Sequence, residues 1–146
     1  MKISVINGPN INLLGLREKK LYGTESYDDL IQRIKAYGEK KQIDLDFFQS
    51  NHEGELVDYI QSCYGNADGI LINAAAYTHT SIAILDALQA VAIPTVEVHL
   101  TDIKNREKFR AHSYIESVAL CQIKGRGFQG YIDALDFLIN EIRSRC

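Results

Sequence analysis

What this chain of 146 residues lacks removes several function classes before any motif is read. No apolar run approaches the roughly 20 residues of a membrane-spanning helix. Acidic side chains outnumber basic ones, 19 against 16, so the net charge is −3 and no basic stripe is available to meet a nucleic-acid backbone. Three cysteines, Cys63, Cys121 and Cys146, form an odd and widely spaced set without metal-type spacing, which predicts free thiols in a reducing cytoplasm. The N-terminus reads directly as a strand, so no secretory signal is expected. No GxGxxG follows the first apolar run, and neither GxxxxGK[ST] nor a GxSxG elbow occurs. A dinucleotide oxidoreductase and an acyl-enzyme hydrolase both lose ground.

What is present is an ordinary globular composition, 46% hydrophobic and 24% charged, at a length that fits one domain with a real core. Strand-like runs over Lys2–Asn7, Leu45–Gln49, Gly69–Asn73, Thr95–His99 and Val118–Ile123 alternate with helical patterns. Helices are predicted from about Ser26 to Lys41, Glu53 to Tyr64, Ser81 to Val91 and after Gly130, with a short helical turn around Asn105–Arg110. Ser26 with Asp29 resembles a capping box. Leu30, Ile31 and Ile34 give the first helix its inner face, and Ile82, Leu85, Leu88 and Val91 are the expected inner face of the third. Such alternation implies a parallel sheet covered on both faces. Five strands favour a flavodoxin-like doubly wound α/β fold of order 2-1-3-4-5, as a single domain over residues 1–146.

In open α/β sheets ligands bind beyond the carboxyl ends of the strands. The polar residues collect there: Asn7 and Asn10 after the first strand, and Ser50, Asn51 and Glu53 after the second. Asn73 ends the third, with Thr78, His79, Thr80 and Ser81 beyond, and His99 ends the fourth, followed by Thr101 and Asp102. Glu97 and His99 leave one face of their strand, and a carboxylate beside an imidazole suits a general acid or base as well as a satisfied buried histidine. Arg106 and Arg110, four apart, read either as surface charges or as partners for a carboxylate. A metal site from His79, His99 and Asp102 is disfavoured because no close-spaced ligand pair is present. Asp86 lies mid-helix without an i±4 cation, and is either solvated or reaches across a subunit interface.

Between the first strand and the first helix lies a long loop rich in glycine, running to Gly23. Ordered loops of more than about a dozen residues are usually lids or binding loops. Arg17 and Tyr22 on this lid, at about residues 15–23, look like groups that reach a substrate on closure. A phenol becomes a base only if a cation lowers its pKa from about 10, and Arg17 is the available cation.

GPNINLLGLRE with YG (Gly8–Glu18, Tyr22-Gly23), QSNHEGELVDYI (Gln49–Ile60), INAAAYTHTSIAILDAL (Ile72–Leu88), VEVHL (Val96–Leu100), NREKFRAHS (Asn105–Ser113) and the Gly125–Tyr131 segment together resemble the type II 3-dehydroquinate dehydratases, over essentially the whole chain. The resemblance implies a cofactor-free, metal-free anti elimination of water from 3-dehydroquinate, through an enolate, to 3-dehydroshikimate in the shikimate pathway of aromatic amino acid biosynthesis. By that resemblance Tyr22 is the base, Arg17 favours the tyrosinate, and Asn10 helps hold the enolate oxygen through a water. His99, oriented by Glu97, protonates the departing hydroxyl. Asn73, His79, Leu100, Thr101 and Arg110 match substrate-binding positions. Asp86 matches a residue supplied by a neighbouring subunit of a trimer, and such trimers usually build dodecamers in the cytoplasm.

Two departures stand out. Lys19-Lys20 follows the lid Arg-Glu where relatives often carry proline, and Thr101-Asp102 stands where Ser-Asn is common. Competing readings are a flavodoxin-like binding module without catalysis, a receiver-type signalling domain and a sister activity on another hydroxy-keto acid. Asn7, Gly8 and Pro9 offer neither a phosphate loop for the first nor an acidic cluster for the second.

Overall fold

The computed structural model of the protein describes residues 1–16 and 24–145. Arg17 and Tyr22, with most of the predicted lid, lie outside the described residues, as does Cys146. Among the described residues the strands are β1 (Lys2–Asn7), β2 (Asp44–Gln49), β3 (Gly69–Asn73), β4 (Thr95–His99) and β5 (Cys121–Lys124). The helices are α1 (Tyr27–Lys41), α2 (Glu53–Ser62), α3 (Ile82–Val91) and α4 (Gly127–Ser144). The strands form one parallel sheet in the order β2-β1-β3-β4-β5. The expected doubly wound order is therefore the one found.

Period-two alternation sends the strand side chains into two cores. Ile3, Val5, Leu71, Val96 and Val98 pack with Leu30 and Ile34 of α1 and Leu135, Leu138 and Ile139 of α4. Ile6, Ile70 and Ile72 face the other way, onto Leu56 and Ile60 of α2 and Ile84 and Leu88 of α3. The first helix begins as its sequence indicates: Ser26 Oγ accepts from Asp29 N at 3.1 Å, and Asp29 Oδ2 accepts from Ser26 N at 2.8 Å.

Four details differ from expectation, each for a local reason. Val118 does not open the last strand. Ile115–Ser117 form a 3₁₀ turn whose Ile115 is fully buried, and Val118 and Ala119 pack on the second core. The last helix starts at Gly127, before Gly130, because its buried face begins at Phe128 and continues through Gly130 and Tyr131, while Gly127 takes the positive φ (56°) at the start. The buried face of α3 is Ile84, Ala87, Leu88 and Val91, leaving Ile82 54% exposed and Leu85 half-buried. A strict three-residue repeat drifts around a helix of 3.6 residues per turn, whereas these buried positions follow it. Finally, residues 105–110 are not one helical turn. Ile103–Asn105 and Lys108–Arg110 are separate 3₁₀ turns, with Arg106 extended between them.

Candidate active site

The loops after β1, β3 and β4 meet over the carboxyl end of the sheet. Gly8 N donates to Asn73 O at 2.7 Å, and a Cβ on Gly8 would stand 2.4 Å from Ala74 O, so only glycine permits this contact. Asn10 follows in the left-handed conformation (φ 68°), which asparagine tolerates, and its N–H donates to Asn51 Oδ1 at 2.9 Å. Asn51 thus supports the loop without lining the cavity. Ser50 bonds the Glu55 carboxylate and accepts from His52 N at 2.9 Å, closing the turn that leads into α2. Glu53 does not line the cavity either.

β4 delivers the acid–base pair. Glu97 is fully buried and His99 nearly so, and His99 Nε2 contacts Glu97 Oε1 at 2.8 Å. A carboxylate accepts, so Nε2 carries a proton and Nδ1 is the ring nitrogen free for a ligand. The same carboxylate oxygen accepts from Thr78 Oγ1 and from Ser113 Oγ at 2.7 Å. Gln122 Nε2 donates to Glu97 Oε2 at 2.8 Å. Burial alone would raise the Glu97 carboxyl. The hydrogen bond and charge of His99, with the Thr78 and Ser113 hydroxyls, outweigh burial and hold it below the ordinary glutamate value. Glu97 is therefore an anion that orients an imidazole and stabilises its protonated form.

His79 closes the 3₁₀ turn Ala75–His79 and bonds the His112 carbonyl through Nδ1 at 2.7 Å. Because the carbonyl accepts, Nδ1 is protonated and Nε2 of the neutral ring is an acceptor. Burial pushes His79 below its ordinary value; the His112 carbonyl opposes this, while the His99 and Arg110 charges reinforce it. Such a ring suits a ligand hydroxyl better than an anion. Asn73 is held at both ends of its amide: Nδ2 donates to Tyr131 Oη at 2.8 Å, and Oδ1 accepts from Ala75 N at 3.1 Å. Tyr131, fully buried in α4, donates its own hydroxyl hydrogen bond to Asn7 Oδ1 at 2.6 Å. The second N–H of Asn73 remains for a ligand.

A cavity of about 130 Å³ joins these groups. Asn10 and Asn73 line it, with His79 on one side and His99, Leu100 and Thr101 on another. Arg106 and Arg110 complete the wall. Glu107 steadies both guanidiniums: Arg110 Nε stands 3.0 Å and Arg106 Nε 3.7 Å from its Oε2. Asp102 keeps its charge out of the cavity, accepting from Lys104 N at 3.1 Å and Asn105 Nδ2 at 2.9 Å as the cap of the next turn. Asp86 lies on the exposed face of α3 and does not line the cavity. Among the described residues no group of three or more metal-ligating side chains comes together. Thr78 appears in the sequence only as one of a polar cluster. Ser113, Gln122 and Tyr131 are not singled out there, because the contacts that tie them to Glu97 and Asn7 span at least 16 positions of chain.

Fold and site together define a doubly wound α/β protein whose carboxylate-anchored histidine faces a small cavity walled by arginine and amide groups. Its sequence matches the profile of the family described as Dehydroquinase class II over residues 1–139, and the chain belongs to that family. It is 55% identical over 142 residues to a 3-dehydroquinate dehydratase of Fusobacterium nucleatum, covering 95% of this chain and 97% of that one. A Clostridium perfringens 3-dehydroquinate dehydratase is 51% identical over 146 residues, covering 99% of this chain and all of the relative. The crystal structure of the type II dehydroquinase from Butyrivibrio crossotus superposes with a TM-score of 0.94 at 51% identity, covering 95% of this chain and 97% of the other.

Proposed function

We propose that the protein removes water from 3-dehydroquinate to give 3-dehydroshikimate, the hydro-lyase step of the shikimate pathway, with no cofactor. Membership of the family and relatives named for this reaction support the activity. The observation that carries the chemistry is the buried Glu97–His99 contact opening on a cavity that also holds two guanidiniums.

Eliminating water from a β-hydroxy ketone needs a base, an acid on the leaving group and donors for a developing enolate. Tyr22 takes the proton from the carbon beside the ketone, with Arg17 favouring the tyrosinate. The electron pair moves into the enolate, whose oxygen Asn10 holds through a water. Collapse of the enolate breaks the bond to the β-hydroxyl as His99 supplies a proton from Nδ1, and water leaves. Glu97 stabilises the imidazolium before transfer and fixes the ring throughout. Arg110 pairs with the substrate carboxylate, a match in charge and fork geometry. Neutral His79 accepts from a ring hydroxyl, while Asn73, Thr101 and the Leu100 backbone supply further hydrogen bonds. A closing lid would exclude water from the enolate.

The assembly belongs to the same reading: trimers in which Asp86 reaches a neighbour's site, grouped into dodecamers in the cytoplasm. Exposed Ile82, one turn from Asp86 on α3, supplies an apolar contact for such a neighbour. Among the described residues no helix is long and apolar enough to cross a membrane.

Ultraviolet absorbance on mixing with 3-dehydroquinate tests the activity, since the product is a conjugated enone acid and the substrate is not. A rise that persists in chelator is expected; folded protein that gives none refutes the reading. Tyr22→Phe and His99→Ala are each expected to lose on the order of 10²-fold or more in turnover while retaining binding. Unimpaired turnover in either variant would return that residue to a structural role.

A further inference from the structure

The Glu97–His99 pair has a second layer of support on the neighbouring strand. β4 and β5 run in parallel register, with Glu97 opposite Gln122 and His99 opposite Lys124. Residues two apart leave a strand on one face, so the four side chains stand together. Gln122 Nε2 donates to Glu97 Oε2 at 2.8 Å, and Lys124 Nζ donates to Gln122 Oε1 at 3.2 Å. These contacts fix the amide in one orientation, because the flipped group would oppose carboxylate to carbonyl and ammonium to NH₂. We propose that Gln122 and Lys124 are positioning residues that set the proton affinity of His99 through Glu97.

Oxygen Oε1 of Glu97 is committed to Thr78, Ser113 and His99, and Gln122 occupies the other oxygen. The amide N–H draws carboxylate charge toward Oε2, away from the imidazole, and the Lys124 ammonium polarises that amide further. Both effects weaken the hold of Glu97 on a protonated His99 and ease release of its proton. Around His99 stand Glu97 on its own strand, His79 from the turn after β3, Arg106 and Arg110 across the cavity, and Lys124 from β5. Burial and then the hydrogen bond and charge of Lys104 push the Lys124 amine below its ordinary value, outweighing the opposing pull of Asp102 and Glu116. Glu97 is the acceptor through which β5 reaches the imidazole. This inference rests on His99 being the acid of the proposed dehydration.

The test uses Gln122→Met and Lys124→Met, read by NMR titration of the His99 ring and by pH profiles of kcat and KM. Removing the Gln122 donor is expected to raise the His99 pKa by about half a unit, and to move the alkaline limb of kcat upward with it. The kcat plateau should fall by about two- to threefold, the most that half a unit of acid strength can supply, with KM within about twofold, since no substrate contact is removed. Lys124→Met should shift His99 in the same direction by less, and the double variant should add little to Gln122→Met, because the ammonium acts through the amide. A His99 titration and kcat profile that coincide with wild type in both single variants would overturn the proposal. The ring titration needs no turnover, so absence of wild-type activity would sink the dehydration reading alone while the β5 coupling is still measured. Lys124→Met leaves the Gln122–Glu97 bond in place and keeps the test available should Gln122→Met fail to fold.

Discussion

Replacing Tyr131 by phenylalanine removes one oxygen from the floor of the site. That oxygen donates to Asn7 Oδ1 at 2.6 Å and accepts from Asn73 Nδ2 at 2.8 Å, and all three residues are buried. The substitution leaves an amide oxygen and an amide N–H without their partner, each worth about 1–3 kcal/mol when buried and unsatisfied. A total near 4 kcal/mol follows, because the ring itself still fills its place and leaves only a hydroxyl-sized void. At roughly 2 cal/mol/K of unfolding entropy per residue, this corresponds to a fall in Tm on the order of 10 °C. Function should suffer separately: the Asn73 amide loses the contact that fixes its Nδ2, so KM should rise while kcat changes little. Urea titration with circular dichroism, followed by steady-state kinetics at a temperature where the variant is folded, reads both. Asn7 and Asn73 are opposite residues of the β1–β3 ladder, so their amides have one escape, which is to pair directly. A stability loss under about 1 kcal/mol with unchanged KM would show that they do so, and would refute the anchoring role assigned to the phenol.

Three further outcomes are expected. The Glu97 carboxyl lies below its ordinary value, so its contribution to stability is complete above the usual glutamate range near 4.5 and is lost as pH falls through the folded-state value. Wild type should thus lose stability on acidification below about pH 4.5 more steeply than Glu97→Gln, and parallel denaturation curves across that window would contradict it. His79 lies below the ordinary histidine value and donates through Nδ1, so ¹⁵N spectra at pH 7 should show a neutral Nδ1–H ring. A charged or Nε2–H ring there would overturn its acceptor role. Gly8→Ala places a methyl 2.4 Å from Ala74 O and must separate the loops after β1 and β3, costing about 3 kcal/mol and most of the activity. A variant as stable and active as wild type would show that the two loops have room to part.

The sheet was legible because its strands carry β-branched residues bounded by turn formers, and β1, β3 and β4 fall where the pattern puts them. The failures come from apolar residues that serve another element: Val118 and Ala119 look like strand yet pack beneath a 3₁₀ turn. Glycines 127 and 130 look like helix breakers yet lie in the first turn of α4, where Gly127 takes a positive φ of 56° and the burial of Phe128 and Tyr131 outweighs the entropic cost. Glu97 and His99 were legible as a pair because both lie on one short strand. Their supporters were not: Thr78, Ser113 and Gln122 reach Glu97 from 19, 16 and 25 positions away, and no local spacing marks such contacts. Tyr131 bonds Asn7 across 124 positions, and in sequence it is one more aromatic of a helix.

The contact of Gly8 with the backbone after β3 also decides how this fold can recognise charge. In many doubly wound proteins the amides after β1 are free to cradle a phosphate at the point where strand order reverses. Here the Gly8 amide is already bonded to Asn73 O, and the Ala74 carbonyl lies against Gly8 so closely that a Cβ there would stand 2.4 Å from it. In the proposed reaction the substrate carboxylate is therefore left to a side chain, Arg110, on a short turn beyond β4, with Arg106 beside it in the cavity wall and both guanidiniums near Glu107. Charge preference is in this way detached from the framework. If Arg110 pairs with the substrate carboxylate as proposed, a substitution among those three residues would alter which acids the cavity accepts while the loops that hold the sheet together stay untouched.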